Sequence, residues 1–368
     1  MKGWMLTGSL NLSVKLLLEK GQSYALSKSY KIRKPADRRG TPGHDGIRHG
    51  SSAEGYGKWG HIREGSYNLG HGQRMNFGER GMKLPLVMGH EPAGRVIAAG
   101  PDAGDIDTSL DYVVYPWHGC GSCHQCKMGR ENYCAAPKFL GMFADGGYAD
   151  MLKIPHPKYL FGIGSLTPAQ AAPLACSGLT TFSALKKVED TIKAAPVVII
   201  GAGGLGLMAI GLVKSMGGLD PVVVDIDPEK REAALAAGAS CAIDGAAEDA
   251  VAQVQAATGG PSLAVIDLVG AEATASLAFN AIAKGGKIVI VGLFGGAAPW
   301  PLPLIPVKAV TIMGSYVGSL PEFAELMDLA VQGKVPMLPT ATHALEEAEN
   351  VLNQLEEGKV IGRAVLTP

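Results

Sequence analysis

The chain has 368 residues and a formal net charge of −1, too long for one simple core and too nearly neutral to be built for nucleic acid or an anionic membrane. With 47% hydrophobic and 18% charged residues, its composition is that of a soluble globular protein, and two domains are expected. Fifty glycines beside only 6% aromatics suit an α/β protein with many tight strand-to-helix turns.

The opening text, MKGWMLTGSLNLSVKLLLEK, has no uninterrupted apolar core and no small-residue cleavage site. A secretory signal is therefore not expected, and a cytoplasmic location is. In that reducing compartment the six cysteines point to metal binding rather than to disulfides. Residues 1–26 and 83–176 mix short β-like runs (LPLVMGH, GRVIAAG, DYVVYPW) with Gly and Pro, the texture of an irregular antiparallel barrel.

Residues 27–60 are different. They contain no Leu, Val, Phe or Met, eight Lys/Arg against three Asp/Glu, and seven Gly. Nothing there can bury a face, so composition reads it as a solvated loop; a basic loop that touches phosphates is the functional alternative.

Further on, GCGSCHQCKMGRENYC sets Cys120, Cys123, Cys126 and Cys134 at C-x2-C-x2-C-x7-C spacing. Two-residue gaps let neighbouring sulfurs converge on one ion, and four thiolates close a tetrahedral shell with no open position. A structural zinc is expected; an iron–sulfur cluster or four unrelated thiols are the alternatives.

From 195 to 315 apolar strands alternate with helical patterns: PVVIIG, a helix to Met216, PVVVDID, a helix from Pro228 to Ala237, then LAVIDLVG and KIVIVGLFG. That alternation predicts a parallel sheet wrapped by helices. The uncharged run Ala195–Val213, nineteen residues, is long enough for a membrane span, but its five glycines follow a β-branched run and argue against one. Gly201, Gly203 and Gly206 form G-x-G-x-x-G, with Gly204 between them, directly after a strand and at a helix start. Asp225 stands nineteen residues past Gly206, where an acid can accept from ribose hydroxyls and repel a 2′-phosphate. NAD is expected; a glycine turn that packs helix on strand without a ligand is the alternative. After Ser319 come two amphipathic helical patterns and a closing strand, GRAVLTP.

GHE at 89–91, the four cysteines, AAPLACSGLTT at 171–181, the glycine fingerprint and VGLFG at 291–295 occur together and in order. In this the chain resembles the zinc-dependent medium-chain alcohol dehydrogenases, most closely archaeal and bacterial NAD-dependent members, over roughly residues 61–368 and MKGWMLTG. The resemblance implies a GroES-like irregular β-barrel catalytic domain over 1–176 and 316–368, with a structural zinc lobe at about 117–137. A Rossmann doubly wound parallel-sheet domain would occupy 177–315. It implies a second, catalytic zinc held through a Cys, a His and another Cys with a Glu alongside; here the matching residues are His90, Glu91 and Cys176. His61 would end a proton relay, Thr180 pack on the nicotinamide, Lys230 contact the adenosine ribose and Arg363 lie near the pyrophosphate. Trp117 would line the substrate pocket.

The implied reaction is zinc-assisted oxidation of primary or secondary alcohols to aldehydes or ketones, with hydride passed to NAD, and its reverse. A polyol dehydrogenase and an NAD-binding relative with structural zinc only are the alternatives. The apolar text at 302–318 fits the family habit of pairing sheet edges across subunits, so a homodimer or homotetramer is expected.

Residues 9–60 do not match this pattern. Counting back from His61, the first Cys ligand falls on Tyr56, the relay hydroxyl on Lys58 and the bracing Asp on Trp59. A reading-frame shift would replace strands and ligands together while keeping the length; a genuinely altered chain or a site rebuilt on another ligand are the alternatives. Neutral Tyr substitutes poorly for a thiolate, because its pKa near ~10 makes the phenolate costly. The chain as written is expected to hold one tight zinc and to turn over slowly.

Overall fold

The computed structural model describes residues 86–368 except 101, 102, 104, 299, 357–359 and 361, together with the backbone of five short strands before residue 86. His61, Tyr56, Lys58 and Trp59 lie outside the described residues.

Two sheets organise the chain. The six-stranded sheet runs Cys241–Asp244, Val222–Asp225, Val198–Ile200, Ser262–Asp267, Ile282–Ile290, Thr311–Gly314, and every pair is parallel. Numbered along the chain, that order is 3-2-1-4-5-6, the doubly wound Rossmann arrangement. Its central strands Val198–Ile200 and Val222–Asp225 are Val/Ile runs because both faces are covered. Period-two alternation divides them between two cores. Ile199, Val223, Ile266 and Val289 join the core shared with the helices Ser177–Lys186 and Gly204–Ser215. Val198, Ile200, Val222, Val224 and Ile288 face the opposite way, with Phe279 and Ala281 of the helix Glu272–Ala281.

The second sheet has eight strands and gathers both ends of the chain. Pro92–Ala98 pairs antiparallel with Asp111–Val114, which pairs antiparallel with Leu160–Gly162. The backbone strand Asn11–Ser13 lies between Pro92–Ala98 and the closing strand Arg363–Thr367. The antiparallel lattice expected over 1–26 and 83–176 is only partly present, since Asn11–Ser13 and Lys15–Leu18 both pair parallel with Pro92–Ala98. Thr340–Ala344 and Arg363–Thr367 pair parallel, because the intervening helix Ala348–Glu356 carries the chain back to the starting end.

The helix Leu320–Val331 shows local chemistry agreeing with tertiary need. Ser319 and Glu322 form a reciprocal capping box with Pro321 in the first turn, and Phe323, Leu326, Met327 and Ala330 bury one face. Among the described residues no helix is long and apolar enough to cross a membrane.

Candidate active site and metal centres

The cysteine lobe is folded as the spacing predicts. The sulfurs of Cys120, Cys123, Cys126 and Cys134 all lie within 4.8 Å of one another. Separations of 3.5 Å (Cys123–Cys126), 3.8 Å (Cys123–Cys134) and 4.0 Å (Cys120–Cys126) bracket the ~3.8 Å that a tetrahedral zinc with Zn–S ~2.3 Å requires. Backbone N–H groups of Cys123 and Ala136 point at Cys120 Sγ and Cys134 Sγ, which favours thiolate. Burial pushes the Cys126 thiol up to about 12, whereas hydrogen bonds from Ser122 and Cys123 draw Cys120 down to about 5; a cation among the sulfurs would favour the thiolate form. All four are free thiols, and the donor set fits zinc.

A brace under this lobe was not legible in the sequence. Glu131, 3% exposed, accepts hydrogen bonds from the Gly119 amide at 2.8 Å, Lys158 Nζ at 2.6 Å and the Tyr159 hydroxyl at 2.7 Å. One carboxylate thus ties the first cysteine's neighbour to the 3-10 turn Pro157–Tyr159.

At the glycine turn each glycine has its own reason. Gly201 has φ 100°, where a side chain is strained. A Cβ on Gly206 would collide with the Gly201 carbonyl, so only glycine lets the helix approach the strand. A Cβ on Gly203 would meet nothing within 4 Å, leaving open space at the N-terminus of Gly204–Ser215, where a pyrophosphate would accept backbone N–H groups. Asp225, at its strand's end, accepts from Ala202 N at 2.7 Å and Asp227 N at 2.9 Å. Its carboxylate holds the turn and keeps lone pairs for a diol. Lys230 lies 3.7 Å from Asp227, in the next helix's first turn. This cradle fits a dinucleotide.

The third constellation joins the two sheets. His90 Nε2 and Cys176 Sγ stand 3.3 Å apart, close to the ~3.5 Å expected of a nitrogen and a sulfur sharing one tetrahedral zinc. Desolvation, and then the Arg363 charge, lower the His90 pKa to about 4, so its ring is neutral at pH 7 and offers a lone pair. Beside it Glu91 is 1% exposed. It receives Arg363 Nη2 at 2.5 Å and Ser177 N at 3.1 Å, so it stands beside His90 but is engaged elsewhere. Burial pushes its carboxyl upward; Arg363 and Ser177 pull it back. The other arm of Arg363 reaches the glycine turn: Nη1 would lie 3.5 Å from a Cβ on Gly204. Thr180 is buried one helical turn beyond Cys176, its amide bonded to the Cys176 carbonyl at 2.8 Å, so both share a helix face. Trp117 donates to the Ala175 carbonyl at 3.1 Å and packs on His90 with ring centroids 5.2 Å apart.

Two family descriptions match the chain: the alcohol dehydrogenase GroES-like domain over residues 56–163 and the zinc-binding dehydrogenase over 204–332. A curated relative, an NAD-dependent alcohol dehydrogenase from Sulfurisphaera tokodaii, is 40% identical over 84% of this chain and 88% of its own length. The chain belongs to the zinc-type medium-chain alcohol dehydrogenase family. This family member is also 30% identical to a D-arabinose 1-dehydrogenase (NADP(+)) from Saccharolobus solfataricus, over 79% of this chain and 83% of that one. Among solved structures it is similar to the alcohol dehydrogenase of the archaeon Aeropyrum pernix, with a TM-score of 0.72 and 33% identity, covering 78% of this chain and 84% of the other.

Within this zinc-type dehydrogenase, the residues picked from the sequence that are described gather at two places: the lobe, and the junction of Gly201–Gly206 with His90, Cys176 and Arg363. The Glu91–Arg363 pair is the part that the motifs did not show. The two residues are 272 positions apart, and nothing in either local text announces the other.

Proposed function

We propose that this protein oxidises primary or secondary alcohols to aldehydes or ketones with NAD, and runs the reverse reaction, at a zinc held in part by His90 and Cys176. The observation that carries this reading is the 3.3 Å approach of His90 Nε2 to Cys176 Sγ, next to a glycine cradle with room for a pyrophosphate. A zinc ion there would supply Lewis-acid polarisation of a hydroxyl oxygen, making its proton easier to lose.

The chain's own residues do the rest. The Gly201–Gly206 turn and Arg363 hold the pyrophosphate, and Asp225 with Lys230 seats the adenosine ribose. Thr180 backs the nicotinamide, one turn from Cys176. Glu91 takes up the Arg363 charge, so that the guanidinium stays fixed between this neighbour of His90 and the glycine turn. His61 would pass the proton outward. Zinc in the four-cysteine lobe closes that fold and has no position open for chemistry.

The domain division follows: a catalytic part of 1–176 and 316–368 around a dinucleotide part of 177–315. Thr311–Gly314 lies at the edge of the six-stranded sheet, which supports a homodimer or homotetramer joined through that edge. Four converging free thiols support a cytoplasmic, reducing location, and neither nucleic acid nor membrane is a partner in this reading.

Two observations favour second readings. Among the described residues the four cysteines are the one group of three or more His, Cys, Asp or Glu placed to hold a metal, which suits a member with structural zinc only. The arabinose dehydrogenase likeness suits a polyol substrate. NADH formation from a panel of simple alcohols and polyols, with zinc counted per chain, separates the three. Turnover of simple alcohols with zinc beyond the lobe supports the proposal, and turnover of none with one zinc supports the structural-zinc reading.

A further inference from the structure

The chain leaves the six-stranded sheet through Ser315–Gly318 and enters the helix Leu320–Val331. Val317 in that crossing has φ 43° and is 8% exposed. A β-branched residue in the left-handed region is strained, and such a backbone persists only where its surroundings hold it.

Several groups hold it, and two come from around the cysteine lobe. Asn132, buried between Glu131 and the ligand Cys134, donates Nδ2 to the Tyr316 carbonyl at 3.1 Å. Tyr115, fully buried, donates its hydroxyl to the Gly318 carbonyl at 2.9 Å. Lys187 donates to Ser315 Oγ at 3.0 Å, and Gly129 of the lobe lies under Pro321. The crossing in turn touches the site. The Tyr316 ring meets Trp117 edge-on at 6.3 Å, and Trp117 packs on His90. Gly318 lies against Leu179 of the Cys176 helix, where any Cβ would intrude.

We propose that the four-cysteine lobe, through Asn132 and with Tyr115 beside it, is a positioning device for the strained crossing Ser315–Gly318, and so for the Tyr316–Trp117 wall next to His90. The lobe's metal then does more than close a loop. By ordering the 3-10 turn Glu131–Tyr133 it would fix Asn132, which donates to the Tyr316 carbonyl. Asn132 and Tyr115 touch no reacting atom and act through the backbone they hold.

Hydrogen exchange of the peptide spanning 315–320, in the full zinc-loaded protein, tests this. Asn132→Ala and Tyr115→Phe, the second keeping the ring, should each speed exchange there by about tenfold, the loss of one hydrogen bond that holds a local structure. Exchange in the distant strand Val222–Asp225 and the zinc per chain should stay at parental values. Chelating the lobe zinc should speed exchange at 315–320 before that strand responds. A kinetic arm rests on the alcohol-oxidising reading, whereas the exchange arm does not: both variants should raise KM for the alcohol severalfold and leave KM for NAD unchanged. Unchanged exchange at 315–320 in both variants, or acceleration spread evenly over both segments, overturns the proposal. Faster local exchange with parental KM for the alcohol overturns its extension to the Tyr316–Trp117 wall.

Discussion

Arg363 and Glu91 meet at 2.5 Å with side chains only 1% and 0% exposed, and each faces a different part of the site. Glu91 neighbours the metal-facing His90 in sequence, while the Arg363 guanidinium also reaches Gly204 at the start of the phosphate-facing helix. Removing one partner leaves a buried charge uncompensated. Arg363→Leu should therefore destabilise the fold by about 3–5 kcal/mol and weaken NAD binding, whereas Glu91→Gln with Arg363→Leu should recover part of the stability but none of the NAD affinity. Urea midpoints and NAD titration of the single and double variants check both halves. Equal stability of the single and double variants would show that the pair is not coupled.

Asp225 sets cofactor choice and also supports the turn, through Ala202 N and Asp227 N. Asp225→Ser is expected to lower the preference for NAD over NADP by about tenfold or more, because the charge that repels a 2′-phosphate is gone. It should also raise KM for both cofactors, since the glycine turn loses its acceptors. Steady-state kinetics with each cofactor reads the two effects apart.

Burial alone would raise the Glu131 carboxyl, but hydrogen bonds from Lys158, the Gly119 amide and Tyr159 together hold it below the usual carboxylate range. A depressed acid stabilises the fold in full above its unfolded pKa, and that contribution is lost as the pH falls through the folded value. Zinc release from the lobe should accordingly quicken as the pH falls through the lowered Glu131 pKa. Glu131→Gln should release zinc faster at pH 7, by about 10- to 100-fold as for other groups that orient metal ligands, and show a shallower acid dependence. A chelator dye followed over pH measures both.

Much of this architecture was legible in local text. The runs PVVIIG and PVVVD are apolar on both faces, and they became central parallel strands because helices cover both sides. The glycine spacing and the C-x2-C-x2-C-x7-C pattern carry their geometry within a few residues, so turn and lobe fold as read. Contacts between distant segments stayed hidden. Glu91 finds Arg363 only because the closing strand Arg363–Thr367 enters the same sheet as Pro92–Ala98 through Asn11–Ser13, and no periodicity records that. Nothing in GRENYC signals that Glu131 is buried; its partners Tyr159 and Lys158 arrive from the later 3-10 turn Pro157–Tyr159.

The central claim is that His90 and Cys176 share a metal that acts on an alcohol beside bound NAD. NADH formation from simple alcohols at saturating NAD, comparing the parent with His90→Gln and counting zinc per chain in both, tests it most directly. The predicted result is a fall of about 100-fold or more in rate, with NAD affinity and the lobe's zinc unchanged. Equal rates in the two proteins, whether high or absent, would contradict it.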